Sequence, residues 1–456
     1  MRVLLWHGYL LSGSGSNIYT AHLARSWRRA GHDVLLMCQE RNVADLEFVD
    51  AHGDFAPDNE GFEVRPTGVP PGPGRVRMVR PAIGGLLPVY VYDDYEGFVV
   101  KRFVDLTDEE LDSYTEANMR ALVTALEAHD PDAVITGHEV MGPYIAREAC
   151  ARTGHEYLAK LHGSALEYAV KEQERYLRYA TDGLGGAKVV AGGSRYMVAE
   201  ASTLIPSVEA RAVVVNPGCD VDLFVPRGVD EAGRPTIGFV GKLIVAKGVH
   251  HLLAALGLID VPGLRVVVVG YGGFEDRLRA LWSALQAGDE GAVRHIAAEG
   301  DGRPLGRLVE WLESGAADDA YWARTSQIRV DFTGRLEHGP LSQVLPYFDA
   351  LVVPSIVAEA FGMVAAEAAA CGVLPIVPNH SGIQEVGSAV EVALSEPGLL
   401  TFDATDPIAG IARAAARVLA IPAGRRAEMG HAAAALARSR WSWDAVADRL
   451  LGLAAR

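Results

Sequence analysis

The chain has 456 residues. This is about three times the roughly 150 residues of one typical domain, so more than one domain is expected. Two domains of about 200 residues each are the default expectation. With 49% hydrophobic and 22% charged residues, the composition is that of a globular protein and excludes a disordered or low-complexity chain. The net charge of −16 argues against a nucleic-acid scaffold, because phosphate binding needs a basic face. It also disfavours attachment to an anionic membrane, except through a local patch such as Arg25, Arg28 and Arg29.

Short apolar runs alternate with helical patterns along most of the chain, which predicts an α/β protein with parallel sheets. In the first half, strands are predicted at 3–7, 133–136, 157–161, 189–191 and 213–215. A second series follows at 236–240, 264–270, 329–333, 350–353 and 374–377. This restart predicts a second sheet.

The boundary between the two sheets is expected in the Pro- and Gly-rich segment 226–235. We therefore expect an N-terminal domain at 1–226 and a C-terminal domain at 227–438. The segments 50–104 and 280–327 do not fit the alternation and are interpreted as insertions. Apolar residues at helical spacing make the second one a small helical excursion.

The cysteines carry no metal-site or disulfide pattern, since Cys38, Cys150, Cys219 and Cys371 are scattered without a CxxC pair. Reduced, mostly buried thiols are expected. The N-terminal apolar run is too short for a signal peptide. The most apolar long stretch, 350–378, is broken by glutamates and prolines and cannot cross ~20 residues of lipid. A cytoplasmic protein is expected.

The first loop, residues 12–17, holds Gly13 and Gly15 between a strand and a helix expected to start near Ile18. Helix N–H groups reached over glycines can bind an anionic group, but a plain capped connection explains the loop equally well. The spacing matches neither the GxGxxG dinucleotide fingerprint nor a Walker loop, since no glycine stands at 18 and no lysine follows. NAD and P-loop nucleotides are therefore disfavoured.

A second glycine turn, from Gly241 to Gly248, follows a predicted strand and carries Lys242 and Lys247. Two such lysines can converge on one diphosphate, while helix N–H groups supply further contacts. Two solvated surface lysines are the alternative, which the surrounding glycines make less favourable.

A third cluster places Glu359 in a loop and Glu367 one turn into a helix that is expected to start near Gly362. Glu367 stands in an alanine-rich apolar face, so its carboxylate needs a partner and an exposed position is a poor alternative. A carboxylate can accept from two donors, and a ribose offers two vicinal hydroxyls.

Two histidines, His138 and His162, end predicted strands, and strand carboxyl ends face the ligand crevice of an open α/β sheet. For a single histidine of this kind a structural role is the commoner one. Asp93 and Asp94 could suggest a metal-binding pair, but they lack a strand context and are better interpreted as a solvated loop.

Four ordered segments together resemble the retaining glycosyltransferases of family four, the glycosyl transferases group 1, whose GT-B fold has two Rossmann-like domains facing across a cleft. These segments are 216–224, the lysine turn 241–248, 332–336 and 354–376 (PSIVAEAFGMVAAEAAACGVLPI). The resemblance spans nearly the whole chain. It also implies that the C-terminal helix, 439–456, crosses back to the N-terminal domain.

The resemblance implies a role for each candidate residue. Lys242 and Lys247 would hold a donor diphosphate, Glu359 the sugar hydroxyls and Glu367 the ribose. His162 matches the family's histidine beside the transferring sugar. Further donor contacts are expected from Gly15, Gly241, Arg335, Leu336, Phe361, Gly362, Met363 and Val364, and acceptor contacts from Ser16, Asn17, His138 and Glu139.

One residue departs from the family pattern, since arginine is usual where Lys242 stands. A lysine keeps the charge but loses the bidentate fork, which alters the grip on phosphate.

The expected activity is transfer of a sugar from a nucleotide diphosphate sugar to a small or polar acceptor, with retained configuration and with neither metal nor cofactor. The alternatives are a sugar-nucleotide epimerase of the same fold and a non-catalytic sugar-nucleotide binding protein. The nucleobase, the sugar, the acceptor and the oligomeric state stay open at this point.

Overall fold

The computed structural model describes residues 1–93, 95–227 and 233–455, which form two compact units. Unit 1 comprises Met1–Pro217 and Trp443–Arg456, and unit 2 comprises Gly218–Ser442. The division therefore falls before the expected linker at 226–235, of which 228–232 lie outside the described residues. The C-terminal stretch that joins unit 1 begins at Trp443 rather than at 439.

Unit 1 is built on a nine-stranded sheet with the order β11-β10-β9-β8-β1-β2-β5-β3-β4. The strands of unit 1 are β1 (Arg2–Trp6), β2 (Asp33–Met37), β3 (Ala51–Phe55), β4 (Phe62–Pro66), β5 (Arg75–Arg80), β6 (Leu86–Val89), β7 (Val99–Arg102), β8 (Ala133–Gly137), β9 (Leu158–Lys160), β10 (Val189–Gly192) and β11 (Ala212–Val214). All neighbours in the sheet are parallel except β3 and β4, and β6 and β7 form a separate pair.

Helices cover this sheet: α1 (Gly15–Arg29), α2 (Asp108–His129), α3 (Gly142–Thr153), α4 (Glu174–Gly186) and α5 (Arg195–Leu204). Local sequence fixes where they begin. Thr107 and Glu110 form a reciprocal capping box at the start of α2, which satisfies backbone groups on both sides of the cap.

Unit 2 is built on a six-stranded parallel sheet with the order β14-β13-β12-β15-β16-β17. Its strands are β12 (Thr236–Val240), β13 (Arg265–Val269), β14 (Arg329–Gly334), β15 (Ala350–Val352), β16 (Leu374–Pro378) and β17 (Thr401–Phe402). Its helices are α6 (Val249–Ala255), α7 (Glu275–Ala287), α8 (Glu290–Glu299), α9 (Gly306–Glu313), α10 (Asp319–Thr325), α11 (His338–Val344), α12 (Met363–Ala370), α13 (Ser381–Leu394), α14 (Pro407–Ala420) and α15 (Ala423–Trp441).

The last helix, α16 (Trp443–Ala454), packs on α1 within unit 1. The buried Trp27 indole donates from Nε1 to the carbonyl oxygen of Ala447 at 3.1 Å, and the Tyr19 and Trp443 rings meet edge to face. The C-terminal helix is therefore part of the core of unit 1.

The sequence predictions of strands are confirmed at every expected position. The interpretation of 50–104 as an insertion is wrong, because β3, β4 and β5 extend the main sheet of unit 1. The helical interpretation of 280–327 is confirmed by the end of α7 and by α8, α9 and α10. The four cysteines are buried and unpaired, as expected.

The arginine patch considered for membrane attachment is engaged within unit 1. Arg28 forms a two-pronged contact with Asp50 (2.9 and 2.8 Å), and Arg29 pairs with Asp444 at 2.7 Å. Within the described stretches of the chain, no helix combines the length and the apolar character needed to cross a membrane.

The strand order of the central parallel strands reverses direction between β1 and β8 in unit 1 and between β12 and β15 in unit 2. The loops that follow two such strands diverge, and the crevice at their carboxyl ends is where open α/β sheets bind ligands. These two points locate the candidate site in each unit.

Candidate active site

The lysine turn of unit 2 follows β12 directly, at the switch point. Lys242 is exposed there, and Lys247 ends a single 3-10 turn before α6. Gly248 has a φ of +67°, and a Cβ atom on it would lie 1.9 Å from the carbonyl oxygen of Pro354. Only glycine permits this approach, so Gly248 brings the lysine turn against the loop that follows β15.

Glu359 lies in that second loop and is bonded to the first. Lys247 Nζ is 2.7 Å from Glu359 Oε1, and the Ser355 hydroxyl donates to the same oxygen. The backbone N–H of Glu359 donates to Ser381 Oγ at 3.0 Å, at the start of α13. The loops after β12 and β15 are therefore joined by charge and hydrogen bonds around one carboxylate.

The expected start of a helix near Gly362 is confirmed, since α12 begins at Met363. Gly362 adopts a φ of +91°, and no side chain caps the helix. The N–H groups of Met363 and Val364 are thus left for a ligand, as helix N-termini offer to anions and hydroxyls. Phe361 is buried and packs edge to face on Trp441.

Glu367 is only 6% exposed, which rules out the surface alternative. Its Oε1 lies 3.5 Å from Nε2 of His338, the first residue of α11. Hydrogen bonding to Glu367 raises the pKa of His338 above its usual value of 6.5. The partner that this buried carboxylate requires is thus a histidine that the sequence did not single out.

Arg335 and Leu336 follow β14. The Arg335 guanidinium lies 5.2 Å from the Tyr271 ring centroid, and it pairs with Glu337 at 2.7 Å. Leu336 packs against the core of unit 2. Backbone contacts tie this loop to the lysine turn, since Gly270 N–H donates to Gly334 O (2.9 Å) and Gly241 N–H to Val269 O (3.0 Å).

In unit 1, three histidines stand at strand carboxyl ends on both sides of the switch point. The His7 and His138 rings, after β1 and β8, stack at a centroid distance of 5.7 Å. His138 lies 4.8 Å from His162, after β9, and His162 lies 5.2 Å from Tyr19. The structure thus brings His138 and His162 together and adds His7.

Glu139 is fully buried and holds the His162 loop. Its Oε1 accepts the backbone N–H groups of His162 (3.0 Å) and Gly163 (2.7 Å). Burial raises its pKa, while these two hydrogen bonds and nearby Lys160 oppose the shift. The sequence expected Glu139 on the acceptor side; one of its two oxygens is instead engaged by the protein backbone.

Burial keeps His7, His138 and His162 neutral near pH 7. It lowers the pKa of His7 to about 4, opposed by the hydrogen bond between the His7 ring and the Asn17 side-chain oxygen, and it lowers the pKa values of His138 and His162 well below 6.5. Burial also lowers the pKa of Lys160 to about 7, and its Nζ donates to the Val215 carbonyl at 3.0 Å. The cluster therefore offers hydrogen bonds and dipoles more than fixed charge.

Several polar atoms of this cluster have no hydrogen-bond partner within the described residues. They include both ring nitrogens of His138, His7 Nδ1, Tyr9 Oη and Glu139 Oε2. Buried polar groups are almost always paired, so a group of unpaired ones marks a place for a polar ligand. This is the candidate acceptor-side region.

The residues of the first loop are placed differently from expectation. Helix α1 starts at Gly15, not near Ile18, and the Ser14 hydroxyl caps it by accepting from Asn17 N–H. The Asn17 side chain is buried, with Oδ1 2.9 Å from His7 Nε2 and Nδ2 donating to Ser12 O. Gly15 and Ser16 thus lie in a capped first turn, and Asn17 supports His7.

Sequence reasoning missed His7, His338, Ser355 and Ser381. His7 also ends a predicted strand, so the argument that singled out His138 and His162 by their positions at strand ends applies to it as well. The other three carry no local signal, because each is defined by a partner distant in sequence. Asp93 and Asp94 were interpreted as a solvated loop, and Asp94 lies outside the described residues. The described part of the chain holds no cluster of three or more metal-ligating side chains.

Two family descriptions match the chain. Residues 14–219 match the Glycosyl transferase 4-like domain, and residues 319–434 match Glycosyl transferases group 1. A D-inositol 3-phosphate glycosyltransferase of Segniliparus rotundus is 33% identical over 249 residues, 52% of this chain and 45% of that protein. The enzyme of the same name from Mycobacterium bovis is 30% identical over 251 residues, 53% of this chain and 43% of that protein. The matched segment thus spans less than half of each relative.

Solved structures resemble the whole chain at low identity. A sucrose-phosphate synthase from Thermosynechococcus elongatus has 19% identity and a TM-score of 0.58, covering 98% of this chain and 97% of its own. The Anabaena protein HepE, solved with UDP and glucose, has 14% identity and a TM-score of 0.59, covering 99% and 98%. These likenesses confirm the expected GT-B fold.

Proposed function

Because the chain belongs to the glycosyltransferases of GT-B fold, with a glycosyl transferase 4-like domain before a glycosyl transferases group 1 domain, we propose that it transfers a sugar from a nucleotide diphosphate sugar to a small or polar acceptor. The observation that carries the proposal is the junction of the lysine turn with the Glu359 loop at the switch point of unit 2.

The donor diphosphate binds at this junction. Breaking the bond from the sugar C1 to the diphosphate builds negative charge on the leaving group. Lys242, Lys247 and the uncapped N–H groups of α12 stabilise that charge. Such preorganised contacts are commonly the largest single contribution to catalysis.

The two glutamates bind the remaining parts of the donor, which are the ribose and the sugar. Glu367, buried and held by His338, accepts from the ribose hydroxyls. Glu359 leaves part of its contact with Lys247 and accepts from the sugar hydroxyls. Arg335 and the Tyr271 ring provide a flat surface beside the base.

The proposal assigns His162 to the transferring sugar, as the family resemblance implies, and the unpaired polar atoms around His138 to the acceptor hydroxyl groups. The acceptor oxygen bonds to C1 on the face from which the diphosphate leaves, and a phosphate oxygen takes the acceptor proton. This route retains the configuration at C1. It requires neither a protein nucleophile nor a metal ion.

The names of similar proteins suggest which donors and acceptors to test first. The relatives are named for inositol 3-phosphate, and HepE was solved with UDP and glucose. UDP-sugars are therefore the first donors to try, and polyols and their phosphates the first acceptors.

The proposal is tested by thermal-shift screening of UDP, GDP, ADP and TDP sugars in EDTA. A donor at a hundred times its Kd stabilises the fold by about 2.7 kcal/mol. We expect one nucleotide class to raise the melting temperature of the wild type and to act more weakly on Lys242→Ala. Arg413→Ala, an exposed cation of unit 2 outside the site, is the matched control. A shift in no class, or a shift that requires Mg²⁺ or Mn²⁺, would contradict the proposal.

A further inference from the structure

A cavity of about 860 Å³ lies in unit 2 and includes the amino ends of three strands, whereas the candidate donor site is at the carboxyl ends. The first residues of β12, β13 and β14, which are Thr236, Arg265 and Arg329, line it. The lysine turn leaves the other end of β12. A five-residue strand rises about 16 Å, so the arginines at the amino ends of the strands are separate from the lysine turn, although the lining also includes Thr333 near the carboxyl end of β14.

Five arginines line this cavity. They are Arg227, Arg234, Arg265, Arg329 and Arg426. Among the described lining residues, only Asp349 is acidic. This concentration of guanidinium groups is found in a chain whose net charge is −16.

Among the described residues, the ion pairs at the cavity leave an excess of positive charge. Asp331 pairs with both Arg265 and Arg329 at 2.8 Å, and Asp349 pairs with Arg426 at 2.6 Å. Two carboxylates thus form ion pairs with three arginines, and the exposed Arg234 adds a further positive charge.

The start of α15 faces the same cavity. Ala423, its first residue, and Arg426 both belong to the lining. Pro422 precedes the helix and provides no side-chain cap, so the first N–H groups of this 19-residue helix have no capping partner. Helix N-termini carry partial positive charge and bind phosphates.

The rim is held by an aromatic contact. The guanidinium of Arg227 lies 3.6 Å from the ring centroid of Tyr347, a residue that is 57% exposed. Cation–π contacts of this kind fix the direction of an arginine fork. The cavity therefore presents oriented guanidinium groups as well as net charge.

We propose that this cavity binds a small anion with two or more phosphate groups, at a site apart from the donor site. Guanidinium forks match phosphate oxygens two at a time. A cavity of several hundred Å³ has room for a molecule larger than a single phosphate. Such a ligand would bind at the amino ends of β12, β13 and β14 and leave the lysine turn free, so the proposal does not depend on the function of the other site.

The test is calorimetric titration with pyrophosphate at low ionic strength, on the wild type and on four single variants whose folding is checked by melting temperature. Arg234→Glu and Arg329→Glu change exposed arginines of the cavity. Lys242→Ala probes the lysine turn. Arg413→Glu changes net charge as Arg234→Glu does, at an exposed position of α14 outside the cavity.

We expect a binding step that each cavity variant weakens by about tenfold or more, and that Lys242→Ala and Arg413→Glu leave within about twofold. No such step at millimolar pyrophosphate would overturn the proposal. So would a step that Lys242→Ala or Arg413→Glu weakens as strongly as the cavity variants do.

Discussion

Lys247 and Glu359, which stand 112 positions apart in the chain, are bonded to each other, with Nζ 2.7 Å from Oε1. The sequence assigns them to different parts of a donor, the lysine to the diphosphate and the glutamate to the sugar. Their pairing means that a bound donor must take over contacts that the two side chains make with each other. It also places both groups at the switch point of unit 2, because each belongs to a loop that leaves a strand there.

The first prediction separates the two glutamates. Glu367→Ala should weaken binding of the free nucleotide diphosphate by about tenfold or more, because it removes the carboxylate proposed for the ribose. Glu359→Ala should leave that affinity unchanged or raise it, because Lys247 then loses its competing carboxylate, and it should lower turnover. Titration calorimetry and steady-state kinetics measure both quantities.

Glu391→Ala is the matched control for these variants. This glutamate is also buried in unit 2, but its Oε1 accepts the N–H groups of Leu400 and Thr401 outside the site. Its loss should lower stability and leave nucleotide affinity unchanged. Equal losses of affinity in Glu367→Ala and Glu359→Ala would refute the assignment.

The second prediction concerns His162. A well-placed electrostatic contact is worth about 3 kcal/mol in the transition state, so His162→Ala should lower kcat by roughly 10²-fold and change the melting temperature little. The structural alternative predicts the reverse, a less stable protein with near-normal turnover. Both quantities should be measured on one preparation.

The third prediction concerns the support of His162 by Glu139. Glu139→Ala leaves the N–H groups of His162 and Gly163 without their acceptor, which should cost about 1–3 kcal/mol for each group. Glu139→Gln keeps an acceptor oxygen and should restore most of the stability and of the turnover. If alanine and glutamine are equally damaging in denaturant unfolding, the carboxylate charge matters rather than the hydrogen bonds.

The fourth prediction is a pH dependence set by His338. Glu367 chiefly raises its pKa, with Glu337 and Asp220 adding to the shift and burial opposing it. Since the folded pKa lies above the unfolded value, the pair contributes stability that is fully present below about pH 6.5 and is lost as pH rises through the folded pKa.

His338→Gln should therefore cost more unfolding free energy at about pH 5.5 than at about pH 8.5, and the difference should be modest because the His338 side chain is 43% exposed. Denaturant unfolding of the wild type, His338→Gln and Glu367→Gln at both pH values provides the measurement. A loss of unfolding free energy that does not depend on pH would contradict the proposed pairing of His338 with Glu367.

Local sequence was sufficient for much of the fold. Runs such as 236–240 and 374–377 are buried between helices, so their apolar character is continuous and readable. The segment 50–104 was misjudged because β4, on the edge, has no buried residue and β3 contains glycine and charge. Edge strands lack the hydrophobic pattern that makes central strands recognisable.

The site was predictable where one residue's chemistry demands a partner, and less so where the partner lies far away in the chain. Glu367 was expected to need a partner, and it has one in His338. Asn17 was expected to face a ligand, yet it bonds to His7, because the cap at Ser14 starts α1 earlier than the apolar pattern suggests. Helix starts depend on such single hydrogen bonds.

The central claim is tested most directly by acceptor-dependent transfer. The wild type is incubated with the sugar donor that stabilises it most and with a mixture of polyols, sugars and their phosphates, and mass spectrometry follows all products. We predict glycosylated acceptor and free nucleotide diphosphate in equal amounts, only when donor and acceptor are both present, with both products reduced in His162→Ala. A donor that binds but gives no glycosylated product with any acceptor, or that isomerises without one, would contradict the account.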